Sequence, residues 1–256
     1  MPFTPSHAVA ILPFARTPLP AAALVIGSMA PDLQYFVPIG LTRSASHSWP
    51  GIITIDLPIG IVALLLWVYL LRGPVLDYSP AWLRERMRPL APVRNRLAHA
   101  ALILVALEIG VLTHLLLDLP THGGWLADQW PWMYGSIGPV TILRLLHAGS
   151  SVAGAVIIAW WTWRWVGRTP RIAVATRITQ RQRVFGWLLA ASTLFLVMAA
   201  LWALAVVRGG NPLGGGVWFF AFCAAAGCAI AVVAVLSVLW RYRDRSTATT
   251  LPSTSA

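Results

Sequence analysis

AHAALILVALEIGVLTHLLLD, residues 98–118, decides the fold. A helix that crosses a bilayer needs about 20 mostly apolar residues, and this run has that length. A soluble helix as long would carry a polar face. Here only His99, Glu108, His114 and Asp118 are ionisable. Four further runs pass the same test, at about 51–71, 140–163, 184–207 and 216–240. A sixth, 20–37 (PAAALVIGSMAPDLQYFV), is interrupted by Pro31 and Asp32. It either spans or pairs with 5–14 as a shallow helical hairpin. The expected fold class is all-α, a multi-pass transmembrane helix bundle with five clear spans and an N-terminal sixth span or re-entrant hairpin.

Composition agrees. Of 256 residues 58% are hydrophobic and 11% charged, with mean hydropathy +0.72. Soluble domains carry about 25% charged residues, so too few remain here to cover a globular surface. The net charge of +11 comes from arginine alone, as the chain has no lysine; with abundant alanine, this fits the coding bias of a high-GC bacterial genome. Cys223 and Cys228 share one apolar run at a spacing that matches no metal or redox motif, and read as small buried hydrophobes. The first residues have no basic region before the apolar stretch, so a cleaved signal peptide is not expected.

The arginines set the expected orientation, because loops rich in Lys and Arg stay in the cytoplasm. Loop 72–97 holds Arg72, Arg84, Arg86, Arg88, Arg94 and Arg96, and loop 164–183 holds Arg164, Arg168, Arg171, Arg177, Arg181 and Arg183. The tail adds Arg241, Arg243 and Arg245. The intervening loops are poor in arginine: 38–50 has Arg43, 119–139 has none, 208–215 has Arg208. The expectation is a plasma or inner membrane protein with a cytoplasmic C-terminus. Topology then accounts for the positive charge, and the expected partner is the lipid bilayer, with no nucleic acid. Trp160, Trp161, Trp163 and Trp165 mark one membrane interface, and Trp125, Trp130 and Trp132 crowd an outer loop. The tail from Ser246 is expected to be disordered. The expected organisation is a membrane domain over 1–165, a basic cytoplasmic loop over 166–183, a two-helix membrane segment over 184–241 and a tail over 242–256.

Ionisable side chains inside membrane segments cost several kcal/mol and point to function. Here they are His7, Asp32, Asp56, Glu108, His114, Asp118, Arg144 and His147, with His47 and His122 in adjacent outer loops. His114 and Asp118, four apart, stack on one helix face about 6 Å apart, in reach of one metal ion or of each other. Asp32, His47, His122 and His147 fall at the same membrane face by topology. His99, fifteen residues before His114, lies about 22 Å away along the helix and reads as an interfacial histidine. Glu108 is about 120° around the helix from His114 at 3.6 residues per turn, and is read as pairing with a neighbouring helix or Arg144. Arg144, one turn before His147, either binds a phosphate oxygen or pairs with Asp56 or Glu108.

MPFTPSHAVAILP (1–13), GSMAPDLQYF (27–36), SHS (46–48), DLP (56–58) and HLLLD (114–118) together resemble a bacterial family catalogued as domain of unknown function 4184. The resemblance covers about 1–165, and the last two helices carry no motif. The family is similar to predicted membrane-bound metal-dependent hydrolases and, remotely, to zinc-dependent phospholipase C. That resemblance implies one or two zinc ions held by His7, Asp32, His47, His114, Asp118, His122 and His147. Asp118 would be shared between two metals, and Asp32 would be a ligand and the base acting on the attacking water. A phosphoester at the outer face would be the substrate. Two departures stand out. Ser151 occupies the place of a glutamate ligand four after His147, and His7 joins the outer cluster only if 5–37 forms a hairpin. The alternative is a non-enzymatic transporter, scaffold or metal-binding protein that keeps an inherited polar cluster.

Overall fold

Each apolar run forms a helix, and five helices are long and apolar enough to cross a membrane: Trp49–Tyr78, Arg96–Asp118, Ile142–Arg168, Gln180–Val207 and Gly216–Tyr242. They are called the first to fifth spans below. The computed structural model describes residues 4–37, 39–87, 95–211 and 215–248; Arg88, Arg94 and the tail around Pro252 lie outside them. The protein is an all-α multi-pass membrane bundle. Large apolar side chains such as Leu104, Val105, Val156, Ile157, Phe195 and Leu196 point outward from the spans. In water that would forfeit their burial energy; in hydrocarbon it costs nothing.

The helix ends follow from local chemistry. Asn95 caps the second span by accepting from the Ala98 amide, Thr141 caps the third by accepting from Arg144, and Thr179 with Gln182 forms a capping box on the fourth. Each satisfies a backbone donor that the first helical turn would leave bare. The last helix continues to Ala248, into the stretch expected as disordered tail.

The first span runs past its expected end at 71 to Tyr78, although Pro58 and Pro74 lie inside it. A proline ring inside an α-helix clashes with the carbonyl four residues back. Here π-helical turns at Ile52–Asp56 and Trp67–Leu71 precede the two prolines. The wider turns give the rings room, and the first of them turns Asp56 inward, fully buried.

The chain divides into two compact units. The first comprises 1–34, 38–64 and 89–170 and contains the polar side chains discussed below. In it a 3₁₀ helix, Thr4–Arg16, packs on the second and third spans, and a short helix, Ala21–Gly27, packs on the second. At about 2.0 Å per residue the 3₁₀ helix carries the chain roughly 18 Å away from His7 by Arg16. Ala21–Gly27 and a turn at Ala30–Tyr35 then return it, so that His7 and Asp32 end side by side. The N-terminal segment is therefore a hairpin, one of the two forms expected for it. Glycine makes it possible. A Cβ at Gly27 would sit 2.2 Å from the Leu107 carbonyl oxygen, and one at Gly110 would sit 2.5 Å from that of Leu24. Backbone meets backbone there, the close approach that small residues allow between membrane helices.

The second unit comprises 35–37, 65–88 and 171–256. Its fourth and fifth spans pack along each other. Asp77 ties it together by accepting from the Trp240 indole (2.9 Å) and the Arg177 amide (3.3 Å).

Candidate metal centre

Four separate pieces of chain bring ionisable side chains to one point in the first unit. The hairpin supplies His7 and Asp32, loop 39–48 supplies Arg43 and His47, the second span supplies His114 and Asp118, and the following loop supplies His122. His7, Asp32 and His114 are 1% exposed or less, and Asp118 is 4% exposed.

The hydrogen bonds around the cluster fix which atoms face inward. His114 Nδ1 lies 2.9 Å from the Ser28 carbonyl oxygen, which can only accept. Nδ1 therefore carries the proton, and Nε2 presents a lone pair. His47 Nδ1 lies 2.9 Å from Ser46 Oγ, which accepts from Gln34 and donates to the Arg43 carbonyl. A protonated Nδ1 completes that hydroxyl, which leaves His47 Nε2 as a second lone pair. The two Nε2 atoms are 3.3 Å apart. Carboxylate oxygens surround them: Asp32 Oδ1 is 3.6 Å from His114 Nε2 and 3.8 Å from His47 Nε2, and Asp118 Oδ2 is 3.9 and 3.3 Å from the same atoms. Lone pairs and carboxylates repel one another unless a cation lies between them.

The spacing fits such a cation. Bonds of about 2.0–2.1 Å at tetrahedral angles put ligand atoms about 3.3 Å apart. Two groups can hold an ion, Asp32 with His47 and His114, and His7 with His114 and Asp118. They share His114, whose one free nitrogen serves one ion. The far side of Asp118 offers a second set. Its Oδ1 has no hydrogen-bond partner among the described residues and lies 3.6 Å from both His7 Nε2 and His122 Nδ1. His122 Nδ1 is also 3.2 Å from the Asp118 carbonyl oxygen and 2.9 Å from the Thr121 hydroxyl, so it carries a proton, and only His7 can turn a lone pair to Oδ1 in this arrangement.

Electrostatics points the same way. Two buried carboxylates face one cation, Arg43, whose guanidinium donates to Asp118 Oδ2 at 2.8 Å. An uncompensated buried charge is costly. Burial lowers the pKa of His122, in the loop after the second span, against the pull of Asp118, which favours its neutral imidazole. The Thr4 hydroxyl donates to Asp32 Oδ2 at 2.8 Å. His7 stacks on His114 with ring centroids 3.9 Å apart, and neither of its ring nitrogens has a hydrogen-bond partner among the described residues.

Residues expected at the site are not all brought together. His147 meets only the rim, its ring edge-on to His122 with centroids 5.7 Å apart. Ser151 donates to the His147 carbonyl at 2.8 Å. Arg144 is exposed, and among the described residues no ion pair joins it to Asp56 or Glu108. Glu108 faces outward too. Arg43 takes the position beside the cluster that sequence reasoning gave to Arg144. Its signal was available, because it is the one arginine of loop 38–50 and stands four residues before His47. The sequence offered Asp56 only as an ion-pair partner for Arg144. It is fully buried, and neither oxygen has a hydrogen-bond partner among the described residues.

A family model described as Domain of unknown function (DUF4184) matches residues 1–239. The chain belongs to that family. The match extends beyond the expected limit near 165 and takes in the fourth span and nearly all of the fifth, so the DUF4184 domain covers every residue of the cluster. No curated protein and no solved structure matches the chain.

A cleft of about 680 Å³ opens beside the cluster in this DUF4184 protein. Arg43, His47, Asp118 and His122 line its polar wall, and Leu116 and Trp125 belong to its apolar one. That volume is in the range of small-molecule sites, about 300–1,000 Å³.

Proposed function

We propose that this protein is a membrane-embedded metal-dependent hydrolase that acts on a phosphoester of an amphiphilic, lipid-linked substrate at the outer face of the plasma or inner membrane. The observation that carries the reading is the convergence of two imidazole lone pairs and two carboxylates at 3.3–3.9 Å beside a cleft that is polar on one wall and apolar on the other. Nitrogen and carboxylate donors of this kind suit zinc. One ion would be held by Asp32, His47 and His114. A second would be held by His7 and, once its ring turns to present Nε2, by His122, with Asp118 shared between the two. A bound ion of this type lowers the pKa of its water and polarises a phosphoryl oxygen.

The chain's own residues would do the rest. Arg43 stands at the junction of cleft and cluster, where its guanidinium would engage a phosphate oxygen. Asp32, held by Thr4 through Oδ2, presents Oδ1 as the acceptor for the proton of the attacking water. Trp125 and the leucines of the apolar wall would take the lipid part. The arginine-poor loops that carry Arg43, His47 and His122 support an outer position for this face.

One observation favours the alternative of a metal-binding protein without turnover. His114 and Asp32 have no exposed surface, and Ser151, in the place of a glutamate ligand, spends its hydroxyl on backbone. The experiment is metal analysis of detergent-purified protein, followed by assay of a chromogenic phosphodiester. The wild type is expected to hold at least one tightly bound equivalent, lost most in Asp118→Ala and kept in His99→Ala. A folded wild type that takes up neither zinc nor manganese overturns both readings, and metal without turnover of phosphodiesters leaves the metal-binding one.

A further inference from the structure

The third span has a second chemistry at its other end. Arg164 and Arg168 follow His147 by 17 and 21 residues, about 26 and 32 Å along the axis at 1.5 Å per residue. The hydrocarbon core of a bilayer is about 30 Å thick. The end bearing Arg164 and Arg168 therefore reaches the membrane surface opposite the polar cluster. The turn of the N-terminal hairpin arrives at the same place and brings Arg16.

Together they form an open cleft of about 760 Å³ lined by Arg16, Arg164, Arg168, Trp160, Trp161 and Trp165, with Leu12 and Pro13 on the hairpin side. No acidic side chain lines it, and none of the three arginines has an ion pair among the described residues. Arg164 lies over the Trp160 ring, 5.1 Å from its centroid, a cation–π contact that positions the guanidinium beside the cleft. Three cations around one cleft repel each other without an anion to share. Indoles place the cleft at headgroup depth, and Leu12 and Pro13 continue it toward the hydrocarbon.

We propose that this cleft binds the phosphate of an anionic phospholipid in the cytoplasmic leaflet, clamped by Arg16, Arg164 and Arg168, with the start of its acyl chains against Leu12 and Pro13. The recognised chemistry is a phosphate diester anion. Its position at the interface, between indoles and an apolar wall, selects a lipid rather than free phosphate as its source. The site is independent of the metal centre. Because Arg16 is in the hairpin, the bound lipid would also fasten the hairpin to the third span.

The test is native mass spectrometry of the full chain released from detergent, titrated with phosphatidylglycerol, phosphatidylcholine or inorganic phosphate. The wild type is expected to retain phosphatidylglycerol over phosphatidylcholine. At roughly fivefold per guanidinium, the triple variant Arg16→Gln, Arg164→Gln, Arg168→Gln is expected to lose about a hundredfold in affinity. Arg208→Gln should bind as the wild type does. The corresponding triple Arg→Lys variant should recover most of the binding, which separates lost charge from lost fold. Equal retention of both lipids, or undiminished phosphatidylglycerol binding by the triple glutamine variant, overturns the proposal. Inorganic phosphate that competes fully with the lipid overturns the lipid as the occupant.

Discussion

Gly110→Ala tests the link between the hairpin and the metal centre. A Cβ there would meet the Leu24 carbonyl oxygen at 2.5 Å, the Ser28 amide nitrogen at 2.6 Å and the Gly27 carbonyl carbon at 2.8 Å. All three are backbone atoms, so no side chain can swing aside. Ordinary contact lies at about 3.5–4.0 Å, and residues 24–28 must therefore retreat by roughly 1 Å. The Ser28 carbonyl retreats with them, and its 2.9 Å hydrogen bond to His114 Nδ1 stretches beyond bonding range. Overpacking of this kind costs about 1–3 kcal/mol, and loss of a partner that orients a metal-binding histidine costs about 10–100-fold in metal affinity. The assay is thermal unfolding in detergent, followed by tryptophan fluorescence, alongside zinc titration of the same preparations. Gly149→Ala is the control, since a Cβ at Gly149 meets nothing within 4 Å. It should be neutral or stabilising by up to about 1 kcal/mol. A Gly110→Ala protein with wild-type melting and wild-type zinc affinity would refute the backbone contact and the role given to Ser28.

Further outcomes follow from the same geometry. Arg43→Gln should lower phosphodiesterase turnover by at least tenfold and Arg144→Gln by less than twofold, measured on preparations of equal zinc content; the reverse order would return Arg144 to the site. Asp56→Asn should match or exceed the wild type in thermal stability, because a fully buried carboxylate with no hydrogen-bond partner is costly; a melting point lowered by several degrees would show that the carboxylate is used. Thr17→Cys at the hairpin turn should react with an impermeant thiol reagent from the same side as Gly167→Cys, and from the side opposite to Gly123→Cys. Labelling of Thr17→Cys together with Gly123→Cys would show that the hairpin turn does not reach the opposite membrane surface. Reporters fused after Arg86 and Arg177 should read cytoplasm and those after Gly123 and Gly210 outside, and an external signal at Arg177 would invert the orientation.

The spans were legible from sequence because hydropathy is a local sum. A run such as 98–118 is apolar whatever it packs against, and bilayer thickness sets its length. Legible too was the pair His114 and Asp118, whose four-residue spacing on a helix puts both on one face. So was the unusual presence of His7, Asp32 and His47 in an apolar chain. Which of these groups meet is another matter. Ser28 and His114 are 86 positions apart, Arg43 and Asp118 75, His47 and His114 67, and no periodicity relates residues at such separations. His7 reaches the cluster only because the chain turns back near Arg16, and Gly27 and Gly110 let it lie flat on the second span. Arg43 rather than Arg144 faces Asp118 because loop 39–48 folds over the end of that span, while Arg144 projects outward from its own helix. Composition and periodicity determine which segments leave water. The directions in which four separate segments aim their side chains, set by backbone contacts far apart in sequence, decide which atoms can share an ion.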